Sequence, residues 1–219
     1  MNEFRHYNPT GTFPQLPYIF TAPTDWDPTK ESLPLIVFLH GAGERGDDPE
    51  LLYNFYGIPK FFGEDPDYHG LRVLTLSPQC PEGFVWNNLT LAVRELIDVI
   101  VEENNVDRSA ITITGCSMGS FGTWEMLCAY PTLFAAAAPI CGGGLSWRAR
   151  AIKDIPLRVF HGGADSVVPL VYSELMVNAV NAAGGNASLT VFPGVDHNSW
   201  IQAYRDTDVI EWLAAARRI

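Results

Sequence analysis

Residues 35–39 form an unbroken apolar run, Leu-Ile-Val-Phe-Leu, closed by His40-Gly41. A run this short, rich in branched residues and stopped by glycine, predicts a strand buried on both faces. Residues 71–77 read as the next strand, halted by Pro78, and 111–114 as a third that runs into Gly115. Between these two strands, Leu89, Val93, Leu96, Ile97 and Ile100 recur at helical spacing, which predicts a helix over 88–103. A further helix over 118–130 ends at Pro131. The second half repeats the pattern. Strands are expected over 134–140, 157–160 and 188–192. Helices are expected over 168–183, closed by Gly184-Gly185, and over 200–217, where basic residues near the carboxyl end suit the helix dipole. Residues 12–22 are expected to add an antiparallel hairpin at one edge.

Alternating strands and helices predict an α/β protein: a mostly parallel, doubly wound sheet with helices on both faces. No internal repeat, low-complexity tract or linker interrupts the chain, so residues 1–219 are expected to form a single domain. In an open sheet of this kind ligands bind at the carboxyl ends of the strands. The polar and glycine-rich clusters fall just there, after residues 39, 77, 114, 140, 160 and 192.

One of those clusters carries a specific chemistry. Gly115-Cys116-Ser117-Met118-Gly119 matches G-x-S-x-G between a predicted strand and a predicted helix. Both glycines are required because the chain turns so sharply that a Cβ two residues before or after the serine would clash. The turn lifts the Ser117 hydroxyl above the sheet and aims a helix N-terminus at it, where negative charge is favoured. Cys116 is the competing nucleophile, but strand alternation points it away from the apex.

A serine nucleophile needs a base. Of the five histidines, His40 and His161 each end a strand before a glycine, which suits roles in orienting the backbone. His6 and His69 lie in polar loops. His197 follows the last strand and precedes the last helix, so its loop can reach the turn at Ser117, and it is the expected base. The imidazole in turn needs a carboxylate to fix its tautomer. Asp165 ends His161-Gly-Gly-Ala-Asp165 after the strand 157–160 and is the expected acid; capping the helix near Val168 is its alternative role. Asp196 is adjacent in sequence to His197 and poorly placed to bond its ring. The loop His40-Gly41-Ala42-Gly43-Glu44-Arg45-Gly46 supplies small residues whose amides can approach an oxyanion, and the expected donors are the N–H groups of Ala42 and Met118. No Gly-Lys-Ser/Thr follows this loop, which excludes a phosphate-binding P-loop.

Charge and composition narrow the partners. The formal charge is −11, from 25 acidic and 14 basic residues, so nucleic acid is not an expected partner. No run of about 18 apolar residues appears, so no membrane span is expected. The four cysteines show no C-x-x-C pair, so neither a zinc site nor any other metal or cofactor is expected, and reduced core thiols are, with a Cys80 disulfide as the alternative. Residues 1–17 contain no apolar signal-peptide core, which makes a cytoplasmic protein the expectation; a leader removed ahead of Met1 would leave no trace.

Taken together, the segments His40-Gly-Ala-Gly-Glu-Arg-Gly46, Ser77-Pro-Gln-Cys-Pro81 with Trp86, Gly115-Cys-Ser-Met-Gly119, Pro139-Ile-Cys-Gly-Gly-Gly144, His161-Gly-Gly-Ala-Asp165 and His197-Asn-Ser-Trp200 give the chain a family likeness. It resembles the small phospholipase/carboxylesterase-like serine esterases of the α/β-hydrolase superfamily, which include predicted peptidases and are related to feruloyl esterases and polyhydroxybutyrate depolymerases. The likeness covers residues from about 34 to 212. It implies an α/β-hydrolase fold, a Ser–Asp–His triad and hydrolysis of carboxylic esters through an acyl-enzyme. A departure is Ser120, where a second glycine often follows the turn. Caps in that superfamily often follow the sixth strand, but here the segment 142–155 has only 14 residues, too few for a cap domain. An open, shallow site for small-molecule esters of short acyl chains, aryl groups or carbohydrates follows. Phe84, Trp86, Trp147 and Trp200 lie near strand ends and could line it. A peptidase acting through the same triad, and a binding module without catalysis, are the alternatives. Nothing in the sequence speaks to oligomeric state.

Overall fold

The computed structural model describes residues 2–218. Eight strands form one sheet: β1 (Asn2–Tyr7), β2 (Leu16–Thr21), β3 (Leu33–Leu39), β4 (Leu74–Pro78), β5 (Val106–Cys116), β6 (Ala136–Ile140), β7 (Leu157–Gly162) and β8 (Ala187–Phe192). Their spatial order is β1-β2-β4-β3-β5-β6-β7-β8. The β1–β2 and β2–β4 pairs are antiparallel, and every pair from β4 onward is parallel.

The apolar run of β3 explains the layering. Leu35, Val37 and Leu39 join one core, under α3 (Thr90–Glu103), α4 (Met118–Ala129) and α5 (Val171–Ala182). Ile36 and Phe38 point the other way, into a second core. That core is covered by α2 (Ile58–Glu64), α6 (Trp200–Asp206) and α7 (Val209–Ala215). Side chains alternate across a strand, so only a run apolar at every position can serve both layers.

Two expectations are corrected. The edge hairpin pairs Leu16 with Tyr7 and Thr21 with Asn2, so its first strand lies well before residue 12. The polar side chains of Asn2–Tyr7, which forms the sheet edge, hide the alternation there. The helix expected over 200–217 is two helices. Thr207 is extended between them, its hydroxyl donating to the Ala203 carbonyl at 2.6 Å and accepting the Val209 amide at 3.3 Å; such side-chain bonds compete with the helical ladder. Two short helices, α1 (Pro49–Tyr53) and α2, each start with proline in the first turn and were invisible to periodicity. The segment after β6 holds a 3-10 turn, Ser146–Ile152, and among the described residues no cap domain is inserted there. All four cysteines are free, and Cys80, Cys116 and Cys141 are buried. Among the described residues, no helix is long and apolar enough to cross a membrane.

Candidate active site

Between β5 and α4 the backbone reverses at Ser117, which adopts φ 54°, ψ −121°. A residue with a Cβ is strained there. The turn is held by the Ser117 amide donating to Ile140 O at 3.0 Å, and by the amides of Ser120 and Phe121 donating to Ser117 O. A Cβ on Gly119 would sit 1.9 Å from Leu39 O, and one on Gly115 2.5 Å from Gly119 O. Strand β3, the turn and the helix therefore pack backbone on backbone, which is the steric reason for both glycines.

The loops after β7 and β8 are stitched together. Gly163 N donates to Phe192 O and Ala164 N to Val195 O, both at 2.9 Å. Asp196 accepts from the Ser166 amide at 2.8 Å and from its hydroxyl. Asp196 thus fixes a loop and does not touch the His197 ring. This stitching sets His197 beside Asp165: Nδ1 lies 2.8 Å from Asp165 Oδ2 and 3.1 Å from Oδ1. On the ring's far side Nε2 lies 2.8 Å from Ser117 Oγ. Three side chains spread over 80 positions of sequence form one hydrogen-bonded line.

Asp165 is fully buried as a side chain. Burial pushes its carboxyl upward, but the bonds from His197 and from the Val168 and Val167 amides outweigh that and hold it below the usual carboxylate value. Those amides donate to Oδ1 at 2.8 and 2.9 Å, so Asp165 both caps the turn ahead of α5 and meets His197. His161 completes its surroundings. That ring, also fully buried, has Nε2 2.9 Å from Val168 O and 3.2 Å from Asp165 Oδ2, with Nδ1 2.7 Å from Ser173 Oγ. Nε2 faces two acceptors and carries a proton, while Ser173 Oγ, 2.9 Å from Gly142 O, has one proton for that carbonyl or for Nδ1.

On the other side of Ser117, Ala42 opens a 3-10 turn (Ala42–Glu44), and Met118 is the first residue of α4. Amides in a first helical turn have no intrahelical acceptor, so both are of the type that can receive an oxyanion. His40 holds the base of this loop, donating from Nδ1 to Gly41 O at 2.6 Å and accepting the Cys80 amide on Nε2 at 2.8 Å. Burial, opposed by the bond to Gly41 and aided by Arg45, lowers its pKa from 6.5 to about 4, keeping the ring neutral.

A cleft of about 260 Å³ opens over Ala42, Ser117 and His197, walled by Phe55, Val167 and Trp200. Trp200 stacks on Phe55, ring centres 5.5 Å apart, and meets the His197 ring edge to face at 5.7 Å. Trp86, expected at the site, does not line it. It is 1% exposed, its Nε1 donates to His40 O at 2.9 Å, and it supports the loop from beneath. Trp147 is exposed outside the cleft, and Phe84 packs on the core. Phe55, Val167 and Glu44 line the cleft without having been expected there; Phe55 lies between two short helices, where no periodicity marks it. Cys116 is fully buried, and burial raises its thiol well above the usual value, which removes it as a nucleophile. Donor atoms of Cys141, Asp165 and His197 lie within 4.8 Å of one another. The Asp165–His197 bond accounts for two of them, and burial pushes the Cys141 thiol up to about 12, leaving it a poor metal donor. A larger hollow of about 430 Å³, lined by Pro131, Ile155 and Arg218, holds none of these residues.

Residues 74–214 match the phospholipase/carboxylesterase family. The chain is 35% identical to a thermostable esterase of known crystal structure, with a TM-score of 0.85, covering 99% of this chain and 63% of that one. A rice protein named as a probable carboxylesterase (Oryza sativa subsp. japonica) is 25% identical over 195 residues, 74% of this chain and 71% of its own. Poly(3-hydroxyalkanoate) depolymerase C of Paucimonas lemoignei is 40% identical over 53 residues, 24% of this chain. The chain thus spans 63% of the length of the esterase, and the match to the depolymerase covers 13% of that enzyme.

Proposed function

The chain belongs to the phospholipase/carboxylesterase family, and from that premise we propose that its 219 residues form one catalytic domain that hydrolyses small carboxylic esters. Ser117 is the nucleophile, His197 the base and Asp165 the acid that orients it. The observation carrying this reading is the line Asp165–His197–Ser117, with both contacts at 2.8 Å.

The chemistry follows from proton placement. Donation from His197 Nδ1–H to Asp165 leaves Nε2 free to accept. Nε2 takes the Ser117 proton as Oγ attacks the ester carbonyl, and the Asp165 carboxylate stabilises the imidazolium that results. The carbonyl oxygen, now an oxyanion, is received by the Ala42 and Met118 amides; each such donor is worth roughly 3–4 kcal/mol of barrier. As the C–O bond breaks, Nε2–H protonates the departing alcohol, leaving an acyl group on Oγ. Water repeats the sequence and releases the acid.

The uncapped cleft, about 260 Å³, favours short acyl or aryl groups. A panel of p-nitrophenyl and feruloyl esters of graded acyl length tests this, with a fluorophosphonate probe to report on the nucleophile. Turnover should fall as the acyl chain lengthens, and Ser117→Ala should lose both turnover and labelling while its circular dichroism is unchanged. Most of the activity surviving in Ser117→Ala would refute the assignment.

A further inference from the structure

The loop that carries Ala42 has little to hold it from within. Gly41, Gly43 and Gly46 lie in it, and a Cβ on Gly43 would meet nothing within 4 Å. Backbone of this kind moves freely, whereas an oxyanion donor stabilises charge best when it is already in place. The loop must therefore be fixed from outside.

Two buried side chains do so, one at each end of the turn Ala42–Glu44. At its start His40 Nδ1 donates to Gly41 O at 2.6 Å. At its end Gln79 Nε2 donates to Glu44 O at 2.9 Å and to Asp48 O at 3.0 Å. Gln79 directly follows β4 and is fully buried. Its own amide donates to Pro17 O at 2.7 Å, which anchors it to β2. The next residue, Cys80, joins the two clamps. Its amide donates to His40 Nε2 at 2.8 Å, and its carbonyl accepts the Gly46 amide at 2.9 Å. Between the clamps the Glu44 carboxylate accepts from the Gly41 amide and from its own, while Ala42 lines the cleft.

The neighbours of Gln79 also fix which way its amide points. Nε2 faces two loop carbonyls with its two protons, and among the described residues Oε1 has no partner. Turned over, the group would set Oε1 against both carbonyl oxygens. The polar end of Gln79 is thus directed at the loop. A methionine or leucine would fill similar space without burying a polar group.

We propose that Gln79 is a positioning residue for the reaction. By tying the end of the turn to the sheet, it holds the Ala42 amide where the oxyanion develops, so the oxyanion site is formed before substrate arrives. The role rests on ester hydrolysis at Ser117 with Ala42 as a donor.

Gln79→Met keeps the volume and removes both donors. Its kinetics on p-nitrophenyl acetate are compared with inhibition by a short alkyl trifluoromethyl ketone and with urea unfolding. In the ketone adduct Ser117 Oγ bonds the carbonyl carbon, the serine proton passes to His197, and the carbonyl electron pair becomes an oxyanion. In the variant kcat should fall on the order of tenfold, part of the roughly 10²–10³ lost when a donor is removed outright. KM should change by less than about twofold, and the inhibition constant should rise in proportion to the loss of kcat/KM. A residue needed only for folding would lower the urea midpoint and leave kcat and inhibition of the folded enzyme unchanged. That result, or a fall in kcat without weaker inhibition, would overturn the role. A crystal structure of the wild-type adduct is a second test that needs no variant. The bonds from Gln79 to Glu44 O and Asp48 O should persist, with the loop backbone shifted by less than about 1 Å; a loop that rearranges and breaks them would equally overturn it. No turnover of p-nitrophenyl acetate by the wild-type chain would instead defeat the esterase reading, and the role of Gln79 with it.

Discussion

Replacing Asp165 by Asn changes one atom and should disable the site through a tautomer. Oδ1 accepts the Val167 and Val168 amides at 2.9 and 2.8 Å, so the asparagine oxygen belongs there. Its NH2 group then occupies the place of Oδ2, 2.8 Å from His197 Nδ1 and 3.2 Å from His161 Nε2. A donor facing Nδ1 is tolerated only if His197 moves its proton to Nε2. That nitrogen lies 2.8 Å from Ser117 Oγ, and once protonated it cannot take the serine proton. A wrong tautomer costs on the order of 10⁴-fold in kcat, about 5 kcal/mol of barrier. KM should change by less than about threefold, because the buried Asp165 side chain does not reach the cleft, and uniform substrate binding is untouched. Urea unfolding should show a loss of about 1–2 kcal/mol, because bonds to a buried carboxylate become weaker bonds to a neutral amide. The assay is hydrolysis of a p-nitrophenyl ester at neutral pH, paired with circular dichroism. A variant keeping more than about a tenth of wild-type kcat would show that the orientation of His197 does not depend on Asp165.

Other perturbations follow from the same geometry. Ser117→Gly and Ser117→Ala should both be inactive, but glycine accepts φ 54°, so Ser117→Gly should be more stable in urea by about 1 kcal/mol; equal stabilities would argue against strain at the turn. Gly119→Ala places a Cβ 1.9 Å from Leu39 O and should cost about 3 kcal/mol or prevent folding. In contrast Gly43→Ala, with nothing within 4 Å of the new Cβ, should change stability by less than about 0.5 kcal/mol. His40 titrates near 4 when folded against 6.5 ordinarily, so the unfolded chain binds the extra proton first. Its contribution is complete above about pH 6.5 and is lost as pH falls toward 4, by up to about 3 kcal/mol; unfolding free energies across that range should flatten in His40→Gln. His161→Gln can keep a donor toward Val168 O, whereas His161→Asn can keep only the group facing Ser173. Asn should therefore lose kcat by on the order of tenfold and Gln by much less, with KM unchanged in both; similar kcat values would reduce His161 to a packing role.

The parts of this protein that were legible in its sequence are those where one residue type has one physical use. The run at 35–39 had to be buried on both faces, and β3 is. Gly115 and Gly119 could only flank a turn without room for a Cβ. What escaped notice depends on contacts between distant segments. The polar edge strand Asn2–Tyr7 is a strand because Leu16–Thr21 pairs with it. Helix periodicity continues through Thr207, but the hydroxyl of that residue bonds Ala203 O and the chain breaks there. Trp86 sits near a strand end as a cleft residue would, yet its indole N–H is used by His40 O below the loop. No local pattern distinguishes Trp86 from Trp200.

The same division runs through the site. Ser117, Asp165 and His197, the proposed nucleophile, acid and base, each follow a strand, so sheet order alone brings their loops to one edge, and the residue types then leave few choices. The walls of the cleft come instead from the α1–α2 region, the turn after Asp165 and the start of α6. Those segments obey no periodic constraint. A loop residue that neither packs a core nor makes a reacting bond is fixed only by the ligand it meets. Val167 is the clearest case, exposed in the turn after Asp165 and packed in neither core, yet a wall of the cleft. The proposed reaction type is therefore written in residues that sequence patterns reveal, and the shape of the cleft in residues that only their spatial neighbours give meaning.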